Sequence, residues 1–192
     1  MTLPVKLGND AAGAYIADMK IIGLAGWSGS GKTTLLTRVI PLLVARGYRV
    51  STVKHAHHAF DVDQPGKDSH THRMAGATEV LVSSANRFAL MHELRGEPEP
   101  ALDTLLDKLS PVDLVLVEGF KRAAHPKLEV HRAEVGKPLL APDDPHIVAI
   151  ASDVAVSANV PVIPLDDAGA VTDVILAKAA PREAVIARLR SA

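Results

Sequence analysis

Ile21-Ile22-Gly23-Leu24-Ala25 followed by Gly26-Trp27-Ser28-Gly29-Ser30-Gly31-Lys32-Thr33 is an apolar run that breaks into a glycine-rich loop. The run reads as a buried strand, and the loop fits G-x-x-x-x-G-K-[ST] without a mismatch. Glycines let the backbone turn its N–H groups inward, so that they and the next helix N-terminus surround a polyphosphate. In that arrangement Lys32 reaches the β/γ-phosphates and Thr33 holds Mg²⁺. Downstream, Leu35, Leu36, Val39, Ile40, Leu42 and Leu43 recur at helical spacing over Lys32 to Arg46. Strand, loop and helix thus follow in the order a phosphate loop needs.

Outward from this unit, Gly47 reads as a helix C-cap and Tyr48 to Val53 as a second strand. Pro41 falls inside the first helix, where a kink is expected. Glu79 to Ser83, Phe88 to Met91, Asp113 to Val117, Ile147 to Ile150 and Val162 to Leu165 read as further strands. Ala101 to Leu109, Ala170 to Lys178 and Pro181 to Arg190 read as helices, Pro181 suiting a first helical turn. This alternation predicts an α/β fold of the P-loop NTPase type, a mainly parallel sheet with helices on both faces. Met1 to Asp18 lacks periodicity and reads as a loosely ordered extension or the product of an upstream start, leaving residues 19–192 as the nucleotide-binding domain.

Composition narrows the function. The chain has 192 residues, 47% apolar and 22% charged, with a formal net charge of −1, so no global field draws it to nucleic acid or membrane. It has no cysteine, which excludes disulfides, thiolate metal ligands and a catalytic thiol, and fits a reducing cytoplasm. No apolar run approaches the roughly 20 residues that span a bilayer.

Ligands of parallel sheets lie beyond the carboxyl ends of the strands, and three such loops carry acids. Glu118, ahead of Gly119, stands where phosphate-loop proteins hold Mg²⁺; the alternative is a solvated strand-end carboxylate. Asp61 and Asp63 lie in the polar segment Lys54 to Ser69; either completes the metal shell or positions a water, Asp63 being slightly favoured, unless they serve as turn residues ahead of Pro65-Gly66. Asp153 follows the Ile147 to Ile150 strand and is placed to accept from guanine N1–H and the 2-amino group, unless it caps a turn. His55, His57, His58, His70 and His72 cluster with Lys54, Lys67 and Arg73. They suit an anionic ligand or partner, a Zn²⁺ or Ni²⁺ site in a metal-insertion GTPase, or a plain solvated loop. Arg73 and Arg87 are the arginines weighed for neutralising transferred charge, against a surface role.

Three blocks together resemble the MobB family: GLAGWSGSGKTTLL at Gly23 to Leu36, VKHAHHAFDVDQPGKDSHTHRMAGA at Val53 to Ala77, and VEGFKRAAHPKLEVHR at Val117 to Arg132. The resemblance implies a GTP-binding, Mg²⁺-dependent, homodimeric adaptor, with weak GTPase activity at most. It assists the guanylyltransferase MobA when GMP is attached to molybdopterin, and molybdopterin itself is an additional candidate ligand. It also implies a phosphate loop of Gly26, Trp27, Ser28, Gly29, Ser30, Gly31, Lys32, Thr33 and Thr34, a DxD segment beside the nucleotide, and Glu118-Gly119 on the metal side. A nickel or zinc insertion GTPase and a small-molecule kinase or ligase are the rival readings. Each would use the same loop.

Overall fold

In the computed structural model, which describes residues 19–56 and 60–191, the elements in chain order are β1 (Lys20–Ala25), α1 (Lys32–Ala45), β2 (Val50–Lys54), α2 (Asp68–Met74), β3 (Glu79–Ser83), β4 (Phe88–His92), α3 (Leu102–Leu106), β5 (Leu114–Glu118), β6 (Lys127–His131), β7 (Ile147–Ser152), β8 (Val162–Pro164), α4 (Ala168–Lys178), β9 (Ala180–Pro181) and α5 (Arg182–Ser191). The expected N-terminal extension and His57 and His58 lie outside the described residues. Those residues fall into two compact units, one of residues 19–55 with 102–191, the other of residues 56–101.

β1 sets the layering of the first unit. Every side chain from Ile21 to Ala25 is buried. Because successive strand residues point to opposite faces, Ile22 and Leu24 pack with Leu35, Val39 and Ile175 of α1 and α4. Ile21 packs on the other face with Leu102 and Leu106 of α3 and Val185 of α5. A strand buried on both faces belongs to a parallel sheet between helical layers, and the order is β2-β5-β1-β6-β7-β8, with only β9 antiparallel, against Lys20 and Ile21. This is the mainly parallel α/β architecture the alternation predicts. Among the described residues no helix is long and apolar enough to cross a membrane.

Several elements differ from their sequence reading. β6 goes unread because Lys127 and Glu129 break its apolar pattern, although both are fully buried and the strand sits between β1 and β7. α5 starts at Arg182, since Pro181 is taken up by β9, and α2 begins inside the segment read as polar loop. β2 starts at Val50 rather than Tyr48 because Tyr48 completes the end of α1: its N–H bonds Leu43 O (3.1 Å) and that of Gly47 bonds Val44 O (2.9 Å), with Gly47 at φ 87.

In the second unit β3 and β4 form an antiparallel hairpin in which Leu81 faces Leu90 and Ser83 faces Phe88. Arg73 of α2 is its electrostatic centre. The guanidinium bonds Glu93 (3.0 Å) and Asp61 (2.7 Å) and lies 3.6 Å from Asp63. Arg95 in turn donates to the carbonyls of Arg73 and Ala77. The Asp63 amide, and then Arg73, hold the Asp61 carboxyl below the usual range.

His125 is fully buried beside β1, where a Cβ at Gly23 would strike its ring, and neither ring nitrogen has a hydrogen-bond partner. Burial, assisted by Lys127, pushes its pKa from the ordinary 6.5 down to about 4. The unfolded chain therefore takes up this proton first. The contribution is intact above pH 6.5 and is lost as pH falls toward 4, a cost of about 3 kcal/mol. Urea unfolding measured across this range should show a shallower pH slope for His125→Leu than for the parent; identical slopes would refute the assignment.

Candidate functional site

The loop between β1 and α1 is shaped by two glycines with different jobs. Gly26 has φ 147, and a Cβ there would meet Val130 O and Ser30 Oγ. Gly31 has φ 89 and occupies the N-cap of α1, where it offers no side-chain acceptor. The first turn of α1 also contains no acidic residue. In α4, by contrast, Asp167 accepts from the Ala170 amide (2.9 Å). The first N–H groups of α1, and the positive end of its dipole, are therefore left without a side-chain cap, an arrangement chemically suited to an anion.

Lys32 completes this positive cradle. Its ammonium donates to Gly26 O (2.9 Å) and Trp27 O (3.0 Å), which holds the side chain back along the loop. Desolvation lowers its pKa; Glu118 opposes that, and Lys121 and Lys54 reinforce it. Thr33 donates to Glu118 Oε1 (2.8 Å), and Lys54 lies 3.4 Å from both partners. Lys32, Thr33 and Glu118 thus lie together at the same end of the sheet. Parallel pairing of Leu24 with Glu118 brings the ends of β1 and β5 level. A hydroxyl and a carboxylate side by side are hard oxygen donors of the kind Mg²⁺ takes. Ser28 and Thr34 are exposed and Ser30 is buried within the loop.

Trp27 and its surroundings were not legible as a unit. The indole N–H donates to Pro138 O (2.8 Å), and Lys121 Nζ lies 4.9 Å from the ring centroid. Two buried charges on β6 organise the loops on either side. Glu129 accepts from the Leu140 and Ala141 amides at 2.7 and 2.9 Å, next to the Pro138 carbonyl. Lys127 donates to Lys121 O (2.8 Å) and Ala123 O (2.9 Å) and pairs with Asp144 (2.7 Å), fixing the chain that follows Glu118. The available signal was a polar residue at alternate positions of β6, the pattern of a half-exposed strand.

Asp153 donates nothing and accepts the Ala133 amide at Oδ1 (2.9 Å), so it caps the short 3-10 turn Ala133–Val135. Asp61 and Asp63 belong to the second unit, where they face Arg73, and Asp63 also accepts from Ser69 Oγ (2.8 Å). His70 and His72 lie on α2, and His55 stacks on Phe120 at 4.8 Å. Among the described residues no group of three or more His, Asp or Glu is arranged to hold a metal ion.

A family model described as Molybdopterin guanine dinucleotide synthesis protein B matches residues 21–153. The molybdopterin-guanine dinucleotide biosynthesis adapter protein of Escherichia coli (strain K12) is 42% identical over 159 residues, 81% of this chain and 91% of that protein. Its counterpart in Haemophilus influenzae is 45% identical over 136 residues, covering 69% and 74%. Among solved structures, that of molybdopterin-guanine biosynthesis protein B (mobB) aligns with a TM-score of 0.63 at 29% identity, covering 82% of this chain and 98% of the other. A MobB homologue from Bacillus stearothermophilus gives a TM-score of 0.58 at 26% identity, covering 82% and 95%.

The Lys127 side chain is 1% exposed, and among the described residues Asp144 is the carboxylate that pairs with it. Removing one member of such a pair strands the other charge, whereas replacing both with apolar groups does not. Asp144→Asn should cost about 3 kcal/mol in chemical denaturation, and the double variant Lys127→Met/Asp144→Leu should recover most of it. Equal losses in the two would mean that the pair is not coupled.

Proposed function

Since the chain belongs to the molybdopterin guanine dinucleotide synthesis protein B family, we propose that it is a GTP-binding adapter in molybdopterin-guanine dinucleotide biosynthesis, assisting a guanylyltransferase, MobA, as it attaches GMP to molybdopterin. The observation that carries the nucleotide part is the uncapped N-terminus of α1 beside Lys32. In this reading the loop amides receive the phosphates, and Lys32 exchanges its two carbonyl contacts for phosphate oxygens. Thr33 and Glu118 hold Mg²⁺, which when bound neutralises phosphate charge, and Lys54 moves aside. Asp61 and Asp63 are kept as metal-ligand candidates on the strength of the sequence pattern; within the second unit both carboxylates are engaged by Arg73.

Turnover is weak in this proposal. Hydrolysis needs a group that orients water in line with the γ-phosphate, and Asp63, the residue favoured for that task, is engaged by Ser69 and Arg73. Binding rather than chemistry is then the useful event. The exposed Leu81, Phe88 and Leu90 of the β3–β4 hairpin support self-association as a homodimer. The full reading places the protein in the cytoplasm.

Calorimetric titration of metal-stripped protein with GTP and with ATP, each with Mg²⁺, tests the nucleotide step. GTP should bind preferentially, and Lys32→Ala should weaken it by at least roughly tenfold, the value of one charge-assisted contact. Unchanged affinity in that variant would overturn the site, and an ATP preference would favour a kinase or ligase. Asp153→Ala should erase the preference for guanine; equal loss for both nucleotides would instead reflect the turn it caps. Stimulation of the guanylyltransferase that survives a non-hydrolysable GTP analogue is expected of an adapter, and its loss would make hydrolysis part of the function.

A further inference from the structure

β5 and β6 flank β1 on opposite sides, so the loops that follow them bracket the phosphate loop. The β5 side supplies Glu118 against Thr33. On the β6 side stands Arg132, the first residue after the strand. Its Nε, Nη2 and Cζ lie 3.2, 3.5 and 3.8 Å from the point a Cβ on Gly31 would occupy. The guanidinium thus lies directly against the glycine that starts α1, at a distance where a side chain would crowd it. Arg132 is anchored from behind: its backbone is extended at φ −129 and ψ 128, its carbonyl accepts from Val135 N (3.2 Å), and Asp153 caps the next amide (2.9 Å).

Its electrostatic setting is unusual. The other half-buried arginines among the described residues, Arg73 and Arg182, each meet an aspartate. Arg132 is half-buried, and among the described residues it makes no such hydrogen bond or ion pair. It therefore adds an uncompensated charge where the dipole of α1 and the Lys32 ammonium are already positive, an arrangement that favours an anion between them. A guanidinium supplies the planar donor fork that phosphate accepts bidentately.

We propose that Arg132 is a second cationic ligand of the nucleotide's phosphate chain, acting from the β6 side of the loop and independently of Mg²⁺. This rests on the nucleotide-binding reading above. Calorimetry of GTP and GDP binding, with Mg²⁺ and with EDTA, would compare the parent with Arg132→Met, Arg132→Lys, Glu118→Gln and Lys32→Ala. Arg132→Met should weaken binding about tenfold, by the same factor in both conditions. Glu118→Gln should lose affinity only when Mg²⁺ is present. Arg132→Lys, which keeps the charge without the planar packing, should recover much of the loss. Binding by Arg132→Met within twofold of the parent, while Lys32→Ala loses binding, would overturn the role of Arg132 alone. Equal loss in the Met and Lys variants, with a matching drop in melting temperature, would overturn it in favour of a packing role. Undiminished binding by Lys32→Ala would remove the nucleotide reading and this assignment together.

Discussion

An α-helix leaves the N–H groups of its first turn without intrahelical partners, and most helices meet this with a side-chain cap. α4 does so with Asp167, whereas α1 begins at a glycine with no carboxylate in its first turn. What surrounds that open end follows from its unmet demand. β1 must be buried on both faces to aim the loop, Gly26 must let the chain pass Val130 O, and Lys32 must fold back on loop carbonyls. Membership of the molybdopterin guanine dinucleotide synthesis protein B family gives this geometry its context. It does not replace the physical reason for it.

The sheet keeps the loop in place through a strand that is polar where a central strand is ordinarily apolar. Lys127 and Glu129 of β6 are fully buried, yet each meets several partners, which is the condition for tolerating charge in a low-dielectric interior. Lys127 holds the segment after Glu118, and Glu129 holds the segment around Pro138. Both loops that border the phosphate loop are thereby tied to one strand. An apolar β6 would preserve the sheet but release them.

Legibility in the sequence followed this same division. β1, the loop and α1 could be read because burial, glycine placement and helical spacing agree over one short stretch. Glu118 could be read because an apolar strand ends on it. β6 could not, since local pattern treats Lys127 and Glu129 as solvent-facing when their partners lie in distant loops. Arg132 was hidden along with the strand it follows. Asp61 and Asp63 read equally as turn or ligand residues, and their ion pairs with Arg73 come from α2, itself masked by histidines and a short length. The strands β3 and β4 were legible as strands, but their pairing with each other depends on register, which composition does not encode.

Trp27 is the chain's single tryptophan. Its ring sits in the phosphate loop, with the indole N–H on Pro138 O and the Lys121 ammonium above the face. Near-ultraviolet light absorbed selectively by indole therefore excites this protein at one place only. Its red-edge emission is a record of the dielectric, hydrogen bonding and nearby charge at the mouth of α1, unmixed with signal from the sheet, the helices or the hairpin.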